Sequence, residues 1–532
     1  MKIQYIFTVL AATSLAFTAC EDLDTMPEGS TLTETSKGEI IAAKPERGEA
    51  GVRAIFSGMN VYMPNYDAIG SRHNDFGFSS VIYFTDANTM DQSADNNDYN
   101  WSGNSLSFAD RVYTSYESQM VWNDHYKIIY AANSVIAGYS ANEGDPETAQ
   151  GKFFYAQGLA ARAYMYFSLA QLYQFTYATS KDKPCVPIIT EENSAIAAQE
   201  GAPRNTVAEV YAQVQSDIDH AIDLLENSDF MRSDKRYISL AVAYGIRARV
   251  NLVMQNWAEA AKDAEAAIAE AASEGIVPVS ASDLSTPQFA NATEKNWMWG
   301  ILVAETDDVV SSGIVNWISH CGTFNYGYGQ YSGGHQINKK LYNMIPESDV
   351  RKGWWSDENG ENKYLPKEYT TYLLSHAFAP YTNCKFGTYN GKIDCDVNAN
   401  DIPMMRVEEM YLIKAEAMAK AGQDGKSFLE NFVKTYRDAE YTCNGDVQEA
   451  VYFQKRIELW GEGLIWYDFM RLQKDLDRRG GGFNPVACFN IKSNDPILLW
   501  RIPQTEIQAN PALTDADNNE TVPAPKPVAD ED

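Results

Sequence analysis

Residues 237–273 read YISLAVAYGIRARVNLVMQNWAEAAKDAEAAIAEAAS, and this stretch decides the fold. A helix is predicted from Tyr237 to about Met254, followed by a break at Gln255-Asn256 and a second helix from Trp257. Small alanines allow the two helices to approach closely across this tight turn, so the stretch predicts a helical hairpin packed in the core. One face of the second helix is formed by residues at helical spacing, namely Trp257, Ala260, Ala261, Ala264, Ile268 and Ala271.

Helical periodicity extends to both sides of this hairpin, beginning near Gly51. The segment 153–177 is rich in alanine and aromatic residues, which indicates a helix that is buried on more than one face. Either residue of Asn205-Thr206 can cap a helix start, and Gly422 is a good helix stop. The predicted helices cover roughly residues 110–140, 151–177, 205–226, 404–421 and 448–475, the last ending near Gly480. The predicted fold class is therefore mainly α.

Two stretches lack this periodicity. From 276 to 403, Gly, Asn, Tyr and Trp alternate with short apolar runs, which predicts long loops with a few short strands. Residues 83–104 are rich in Asp and Asn and show no helical period either. Long loops inside a helical protein commonly carry function, so we expect the ligand-binding residues in these two insertions.

The N-terminus predicts export and lipid attachment. Lys2 supplies a positive charge, an apolar run follows from Tyr5 to Phe17, and small residues lead into Cys20. The apolar run is too short for a membrane-spanning helix. We expect cleavage after residue 19 and a lipid on the thiol of Cys20. An ordinary signal peptide followed by a coincidental cysteine is the alternative.

The two ends of the remaining chain are polar. Residues 20–48 carry few large apolar side chains and predict a flexible tether. Residues 514–532 form an acidic tail. The body between them, residues 49–513, is expected to be one domain, because a single large helical domain can absorb a chain of this length.

Charge and cysteine usage restrict the partners. The formal net charge of −29 disfavours nucleic acid, because polyanions are repelled at long range. The cysteines and histidines are scattered without a zinc signature, and we predict no metal and no cofactor. Disulfides are permitted after export. Cys384 faces Cys395 if residues 388–391 form a four-residue loop, but faces Val397 if Asn390-Gly391 forms a two-residue turn.

Two acidic patterns invite functional interpretations. Asp91, Asp95 and Asp98 resemble part of a calcium loop, but residues 91–102 lack the glycine and the glutamate that such a loop needs at its sixth and twelfth positions. Glu458 and Glu462 are one helical turn apart, like a paired acid and base. We expect them instead to form salt bridges with arginines of adjacent helices, and we predict no catalytic residue.

A site for neutral sugars needs exposed aromatic faces beside amides and carboxylates. Three stretches fit: 83–104, 316–335, where tyrosines lie among glycines, and the region of Trp354 and Trp355. Since adjacent tryptophans point to different sides, one of that pair is expected in the core. The alternative for the first stretch is a solvated loop with one anchoring tryptophan. The candidate ligand-binding residues are Tyr99, Asn100, Trp101, Trp317, Tyr326, Tyr328 and Trp354.

Several separated segments together resemble the SusD-like (RagB/SusD) outer-membrane lipoproteins of Bacteroidetes. The resemblance runs from Cys20 to about Leu513, and departs from the family only in the tail that follows. Single motifs are weak, but their ordered set is specific. The segments are Cys20–Asp24, Asn205–Tyr211, Ala241–Trp257, Arg406–Ala417, Lys455–Leu459 with Gly461–Gly463, Leu499–Pro503 and Asn510–Pro511.

This resemblance implies a fold of four tetratricopeptide-like helical hairpins that support an irregular, loop-rich half. It implies a SusC-type TonB-dependent transporter as the partner, with the lipoprotein lying over its mouth at the outer face of the cell outer membrane. The implied activity is capture of glycan without catalysis. It also implies that the charged residues of the motifs are structural: Arg406, Glu416, Arg456, Glu458, Glu462, Asp468 and Arg471.

Three functions remain to be weighed. The first is a cell-surface glycan-binding lipoprotein that serves a transporter. The second is a glycoside hydrolase, which needs two carboxylates about 5 to 9.5 Å apart in a cleft. No catalytic motif in the sequence supports this hypothesis. The third is a helical-repeat scaffold that binds only protein or a nutrient other than glycan.

Overall fold

The computed structural model describes residues 48–60, 73–94, 101–140, 144–284 and 287–531. Its longer helices are α1 (Gly48–Ser57), α2 (Phe78–Asn88), α4 (Tyr116–Ser140), α5 (Ala149–Tyr173), α8 (Val207–Glu226), α9 (Leu240–Met254), α10 (Trp257–Ser273), α15 (Lys367–Ser375), α16 (Val407–Lys420), α17 (Gly425–Tyr436) and α18 (Val447–Glu458). The shorter ones are α3 (Gly103–Leu106), α6 (Tyr177–Ser180), α7 (Ser194–Glu200), α11 (Asp308–Ser311), α12 (Trp317–Cys321), α13 (Tyr328–Tyr331), α14 (Lys339–Met344), α19 (Ile465–Arg471) and α20 (Gln504–Ala509).

Eight of the described helices pack one against the next along the chain: α4 against α5, α5 against α8, α8 against α9, α9 against α10, and α10 against α16. The last of these, α16, packs against both α17 and α18. The predicted helical scaffold is confirmed. No helix among the described residues combines the length and the apolar character that a membrane span requires.

The hairpin predicted from 237–273 is present. Its turn is made by Gln255, which adopts a left-handed conformation at φ 63°. At the start of α8, Thr206 rather than Asn205 is the cap: its hydroxyl accepts a hydrogen bond from the backbone N–H of Glu209, and its own backbone N–H donates to the carboxylate of Glu209. After α16 ends, Gly422 lies at φ 77° and turns the chain toward α17.

Two helix predictions are wrong, for different reasons. Residues 448–475 form two helices, α18 and α19, because Gly461 and Gly463 both take positive φ and break the chain direction. Within 83–104, the first residues belong to α2, which begins at Phe78. Every residue of α2 is buried, so it has no polar face and its sequence shows no period.

The region 276–403 is irregular as predicted, and short strands tie it to the rest. The strands are β1 (Gln92–Ala94), β2 (Trp297–Ile301), β3 (His335–Ile337), β4 (Ile402–Arg406), β5 (Leu476–Asp477) and β6 (Asn490–Ile491). They pair antiparallel as β1 with β3, β2 with β4, and β5 with β6. The first pair, with Gln92 opposite Ile337, brings the two predicted insertions together.

The acidic tail lies along the body over its described residues, 514–531. The side chain of Asn519 donates to the backbone carbonyls of Tyr173 and Trp500, at 2.8 and 2.7 Å. Further along, the backbone N–H of Val528 donates to the carbonyl of Cys488 at 2.9 Å. These bonds hold the tail to the end of α5 and to the segment after β5.

A buried charge network joins the loop-rich half to the last helices of the scaffold. Glu458 accepts hydrogen bonds from Arg406, Arg437 and Arg351 at 2.8 to 3.1 Å. Glu462 is bound by Arg406 and by Lys385, whose ammonium lies 2.6 Å away. With Asp349 and Glu408 the network has four cations and four carboxylates, all almost fully buried. Their opposite charges balance.

The network fixes the protonation of its central carboxylate. Burial alone would raise the pKa of Glu458, but Arg437, Arg406 and Arg351 outweigh it and hold that pKa well below its usual range. The stability that Glu458 contributes is therefore present above its unfolded pKa and is lost as the pH falls through its folded pKa.

The other charged motif residues also form ion pairs. Arg471 binds Glu416 at 2.6 Å and Asp468 at 2.6 Å, and Arg456 binds Asp91. All seven charged residues named from the sequence thus lie in ion pairs between or within neighbouring segments, as predicted. Of the three aspartates in the calcium-loop pattern, Asp91 forms an ion pair with Arg456, while Asp95 and Asp98 lie outside the described residues.

We predict that Glu458→Gln lowers the free energy of unfolding by about 3–5 kcal/mol, because it leaves three buried guanidinium groups without their shared carboxylate. Denaturant unfolding followed by circular dichroism measures this. The matched control is Glu449→Gln on the same helix, α18, where Glu449 forms an exposed ion pair with Lys474. The control should cost less than about 1 kcal/mol. Equal effects of the two variants would contradict the structural role of the network.

Candidate functional site

Trp101 lies half-buried at the turn before α3, and a hydrogen bond holds its backbone in place. The side chain of Asn74 donates to the carbonyl oxygen of Trp101 at 3.1 Å. The amides of Asn74 and Asn104 both reach the carboxylate of Glu117, at 3.4 and 3.0 Å. Since Glu117 belongs to the first turn of α4, the position of Trp101 is set by the helical scaffold.

The indole of Trp101 belongs to a cluster of three rings. His73 stacks on it, with ring centroids 5.1 Å apart and an angle of 24° between the planes. Tyr328 meets Trp101 edge-on at 5.9 Å, and its hydroxyl shares a hydrogen bond with the Nδ1 atom of His73. Partial burial lowers the pKa of His73. Residues from three distant parts of the sequence therefore fix one aromatic surface.

Tyr328 itself is buried and supports this surface from within. Its ring packs against His320 at 4.9 Å, and the Nδ1 atom of His320 bonds to the carbonyl oxygen of Asn316. Burial lowers the pKa of His320 to about 3, so this imidazole is neutral at physiological pH. Tyr328 therefore acts as a support for Trp101 and His73, with 8% of its own surface exposed.

The helix α13 and the residues just before it present a second pair of rings to solvent. Tyr326 and Tyr331 are 41% and 54% exposed, and their rings meet edge-on at 5.7 Å. Gln330 between them donates to the hydroxyl of Tyr372 and, at 3.3 Å, to the carboxylate of Asp394. Rings, an amide and a carboxylate thus lie together at the surface, the combination that binds sugar hydroxyls and C–H faces.

Glycine determines where α13 lies. A Cβ atom on Gly329 would meet the backbone oxygens of Gly322 and His320 at 2.6 and 2.7 Å. Only glycine permits this close approach, which seats the helix directly on the chain that follows α12. The glycines of 316–335 therefore position the tyrosines and do not simply loosen the loop.

We use the name aromatic surface for two groups of rings that α13 connects through Tyr328: His73 with Trp101, and Tyr326 with Tyr331, the latter group including Gln330, Tyr372 and Asp394. Of the seven residues predicted from the sequence, Trp101 and Tyr326 lie on this surface, and Tyr328 lies beneath it. Tyr99 and Asn100 lie outside the described residues.

Trp317 and Trp354 are corrections, because both are core side chains. Trp317 is 1% exposed and packs against Phe386 at 4.9 Å. Trp354 is fully buried and packs against Phe289 at 5.4 Å. Trp355 is buried as well, so both members of the adjacent pair lie in the core rather than one. Neither Trp317 nor Trp354 can offer a face to a ligand in this structure.

Sequence reasoning missed His73 as a member of the site. The residue lies alone in a polar stretch, and its partner Tyr328 is 255 positions away. A lone histidine has no periodic or motif signal that could have drawn attention to it. Tyr331 was visible among the tyrosines of 316–335, but nothing in the spacing distinguished the exposed Tyr331 from the buried Tyr328.

The structure also bears on the disulfide that the sequence left open. Cys384 and Cys395 are free, buried thiols, so the bridge between them is not formed. Residues 389–391 make a 3₁₀ turn in place of the four-residue hairpin loop. Among the described residues, no group of three or more His, Cys, Asp or Glu side chains is arranged to hold a metal ion.

The acid pair at Glu458 and Glu462 is unsuited to hydrolysis. Each carboxylate is at most 3% exposed and is saturated by arginine or lysine. A general acid or base must reach its substrate within hydrogen-bond distance. The structure thus removes the one acid pair that the sequence had offered to a hydrolase.

The fold is a helical-repeat scaffold with an aromatic, polar surface on its loop-rich half, and comparisons identify its family. The chain belongs to the SusD/RagB family. Residues 75–252 match a SusD-like family model described as starch-binding and associating with the outer membrane, and residues 322–519 match the SusD family model. A comparison with curated proteins finds no match.

Solved structures agree with this family. A SusD-like carbohydrate-binding protein from Bacteroides vulgatus is 24% identical, with a TM-score of 0.73 over 90% of this chain and 98% of its own. A SusD superfamily protein from Bacteroides thetaiotaomicron is 20% identical, with a TM-score of 0.70 over 90% and 99%. The surface glycan-binding protein A of the same species, solved with laminarihexaose, is 16% identical, with a TM-score of 0.61 over 89% and 99%. These likenesses establish the fold.

The lowered pKa of His73 predicts a pH dependence. As the pH falls below about 6.5, the ordinary imidazole value, the unfolded chain binds the proton before the folded one does, so folding stability falls. His73→Phe keeps a ring on Trp101 but cannot titrate. Between about pH 7 and about pH 5.5 the wild-type chain should lose more stability than this variant in parallel denaturant titrations. Identical losses, or an imidazole resonance of His73 that titrates above about 6.5, would contradict the assignment.

Proposed function

We propose that this protein captures glycan at the aromatic surface, without cleaving it. The observation that carries the proposal is the exposure of Tyr326 and Tyr331 beside the polar side chains of Gln330 and Asp394, together with the partly buried Trp101. Flat rings stack on the C–H faces of sugars, and amides and carboxylates bind their hydroxyls. Family membership and the laminarihexaose complex of a structural neighbour support a glycan as the ligand.

The surface suits binding of a flexible polymer. The rings of His73 and Trp101 are held by each other, by Tyr328 and by Asn74, so little ordering entropy is lost there when a ligand docks. The surface is open rather than enclosed, which allows an internal stretch of a chain to lie across it. Open surfaces of this type bind several sugar units weakly and together gain useful affinity.

We further propose that the captured glycan is delivered to a SusC-type TonB-dependent transporter in the outer membrane. Support comes from the family model that describes association with the outer membrane, and from the export signal ending at Cys20. Cys20 lies outside the described residues, and lipid attachment there would hold the protein at the cell surface. A single acyl chain binds a membrane only reversibly, so stable retention needs further chains or the membrane-embedded partner.

Replacing the exposed rings should weaken polysaccharide binding. We expect Trp101→Ala and Tyr331→Ala each to raise the Kd for a bound glycan about tenfold, since a lost stacking contact is worth about 1.4 kcal/mol. Isothermal titration or affinity electrophoresis with a polysaccharide panel measures this. The control is Tyr130→Ala, which removes a 64% exposed tyrosine on α4. If the glycan affinity of both site variants equals that of the control, the aromatic surface is not the binding site.

Replacing the anchor cysteine should release the protein. In cells that express Cys20→Ser, we expect the protein to move from the outer-membrane fraction to soluble fractions, because serine cannot accept the thioether-linked lipid. Fractionation followed by immunoblotting measures the distribution. The matched control is Cys185→Ser, a cysteine buried in the body. Retention of Cys20→Ser in the membrane together with an unlipidated wild-type N-terminus by mass spectrometry would contradict the predicted anchor.

A further inference from the structure

A cavity of about 710 Å³ opens where the helical scaffold meets the loop-rich half. One side is formed by the end of α1 and by the connection between α8 and α9, residues 233–236. The other side is formed by residues 291–293, by the chain that follows β2, and by Tyr389 and Asp401. None of its lining residues belongs to the aromatic surface. Its volume lies in the range of small-ligand sites.

The walls of this cavity are fixed by backbone hydrogen bonds. The carbonyls of Lys235 and Arg236 accept bonds from Gly300 and from the Trp299 indole, at 3.0 and 2.9 Å. Asp401 ties the opposite wall together: its two oxygens accept the backbone N–H groups of Ala292 and Val303, both at 2.8 Å. A cavity held in this way exists before any ligand arrives.

Several lining side chains have hydrogen-bonding capacity to spare. Arg236 donates through Nε to Asp234 at 3.0 Å, and its two terminal nitrogens have no partner among the described residues. The ammonium of Lys235 is bonded to one carbonyl, that of Glu294, at 2.7 Å, which leaves two donors. The second oxygen of Asp307 is similarly unused, since only its Oδ2 atom accepts a bond, from Ala304.

The charge in the cavity restricts the ligand. Four lining carboxylates, Asp234, Asp307, Asp308 and Asp401, outnumber two cations, Lys235 and Arg236. Acidic ligands such as uronic acids or sulfated sugars would meet a negative excess. The carboxylates are not gathered into a metal cage among the described residues. Mixed donors and acceptors beside the partly exposed ring of Tyr389 fit a neutral ligand with many hydroxyl groups.

We infer that this cavity is a second saccharide site, which takes one or two neutral sugar rings and is separate from the aromatic surface. Arg236 and Lys235 donate to hydroxyl oxygens, Asp307 and Asp401 accept from hydroxyl groups, and Tyr389 covers one edge. Saccharide binding in the cavity does not depend on glycan binding at the aromatic surface, because the two sites share no residue. A short end of a sugar chain, or a free mono- or disaccharide, is its expected occupant.

The test uses a background variant in which Trp101→Ala and Tyr331→Ala remove two rings of the aromatic surface. Saturation-transfer difference NMR is recorded with the methyl glycosides of glucose, mannose, galactose and xylose, with their disaccharides, and with glucuronate. We expect at least one neutral saccharide to bind this background. Adding Arg236→Met should raise its Kd at least about tenfold, because hydrogen bonds from a charged donor are lost. Tyr389→Ala should weaken it as well.

The matched control is Arg479→Met in the same background. Arg479 bonds to Asp477 through its backbone N–H and its Nε atom, as Arg236 does to Asp234, and through one terminal nitrogen as well, but it lies outside the cavity. The control should bind like the background. Absence of any binding in the background, equal binding by the Arg236→Met and Arg479→Met variants, or preference for glucuronate would each overturn the second site. None of these results bears on the polysaccharide affinity of the wild-type chain, which tests the aromatic surface separately.

Discussion

The buried ion network around Glu458 is the constraint on which the rest of the molecule depends. It brings charges from the loop-rich half, at Arg351 and Lys385, against charges from β4 and the last helices. Hydrophobic packing alone is not directional, whereas a carboxylate shared by three guanidinium groups has one geometry. Short strands fix only parts of the irregular chain from 276 to 403. The network supplies further fixed points for the loops between them.

A fixed loop-rich half is what makes an open surface useful for binding. Trp101 is held by Asn74 and by the first turn of α4, and Tyr328 is held by His320 and by the close seat of α13. The pairing of β1 with β3 joins the two insertions that carry these rings. A few directional contacts therefore hold the surface in a fixed position on the scaffold. The cavity beside Asp401 is built in the same way, because hydrogen bonds from Gly300 and Trp299 to the carbonyls of Lys235 and Arg236 connect the two halves.

Local signals predicted the scaffold well. The hairpin at 237–273, a cap at Asn205 or Thr206 and the stop at Gly422 all follow from short-range rules of periodicity and capping, and tertiary packing does not override them. The ion pairs were also predictable, because charged residues within helical motifs that pack together need partners. The failures have different causes. Periodicity requires a polar face, and α2 has none. Composition distinguishes aromatic from aliphatic residues, but cannot tell the fully buried Trp317 and Trp354 from the partly buried Trp101. Exposure is decided by distant segments, as is the meeting of His73 with Tyr328.

A crystal structure of the chain with an oligosaccharide of a polymer that it binds tests the central claim most directly. The account predicts sugar rings in contact with Trp101 and with Tyr326 or Tyr331, and hydroxyl groups within hydrogen-bond distance of Gln330 or Asp394. The helical scaffold should keep its position, since the surface is formed before the ligand binds. Sugar bound only on the helical repeats, with the rings of the aromatic surface left free, would contradict the account.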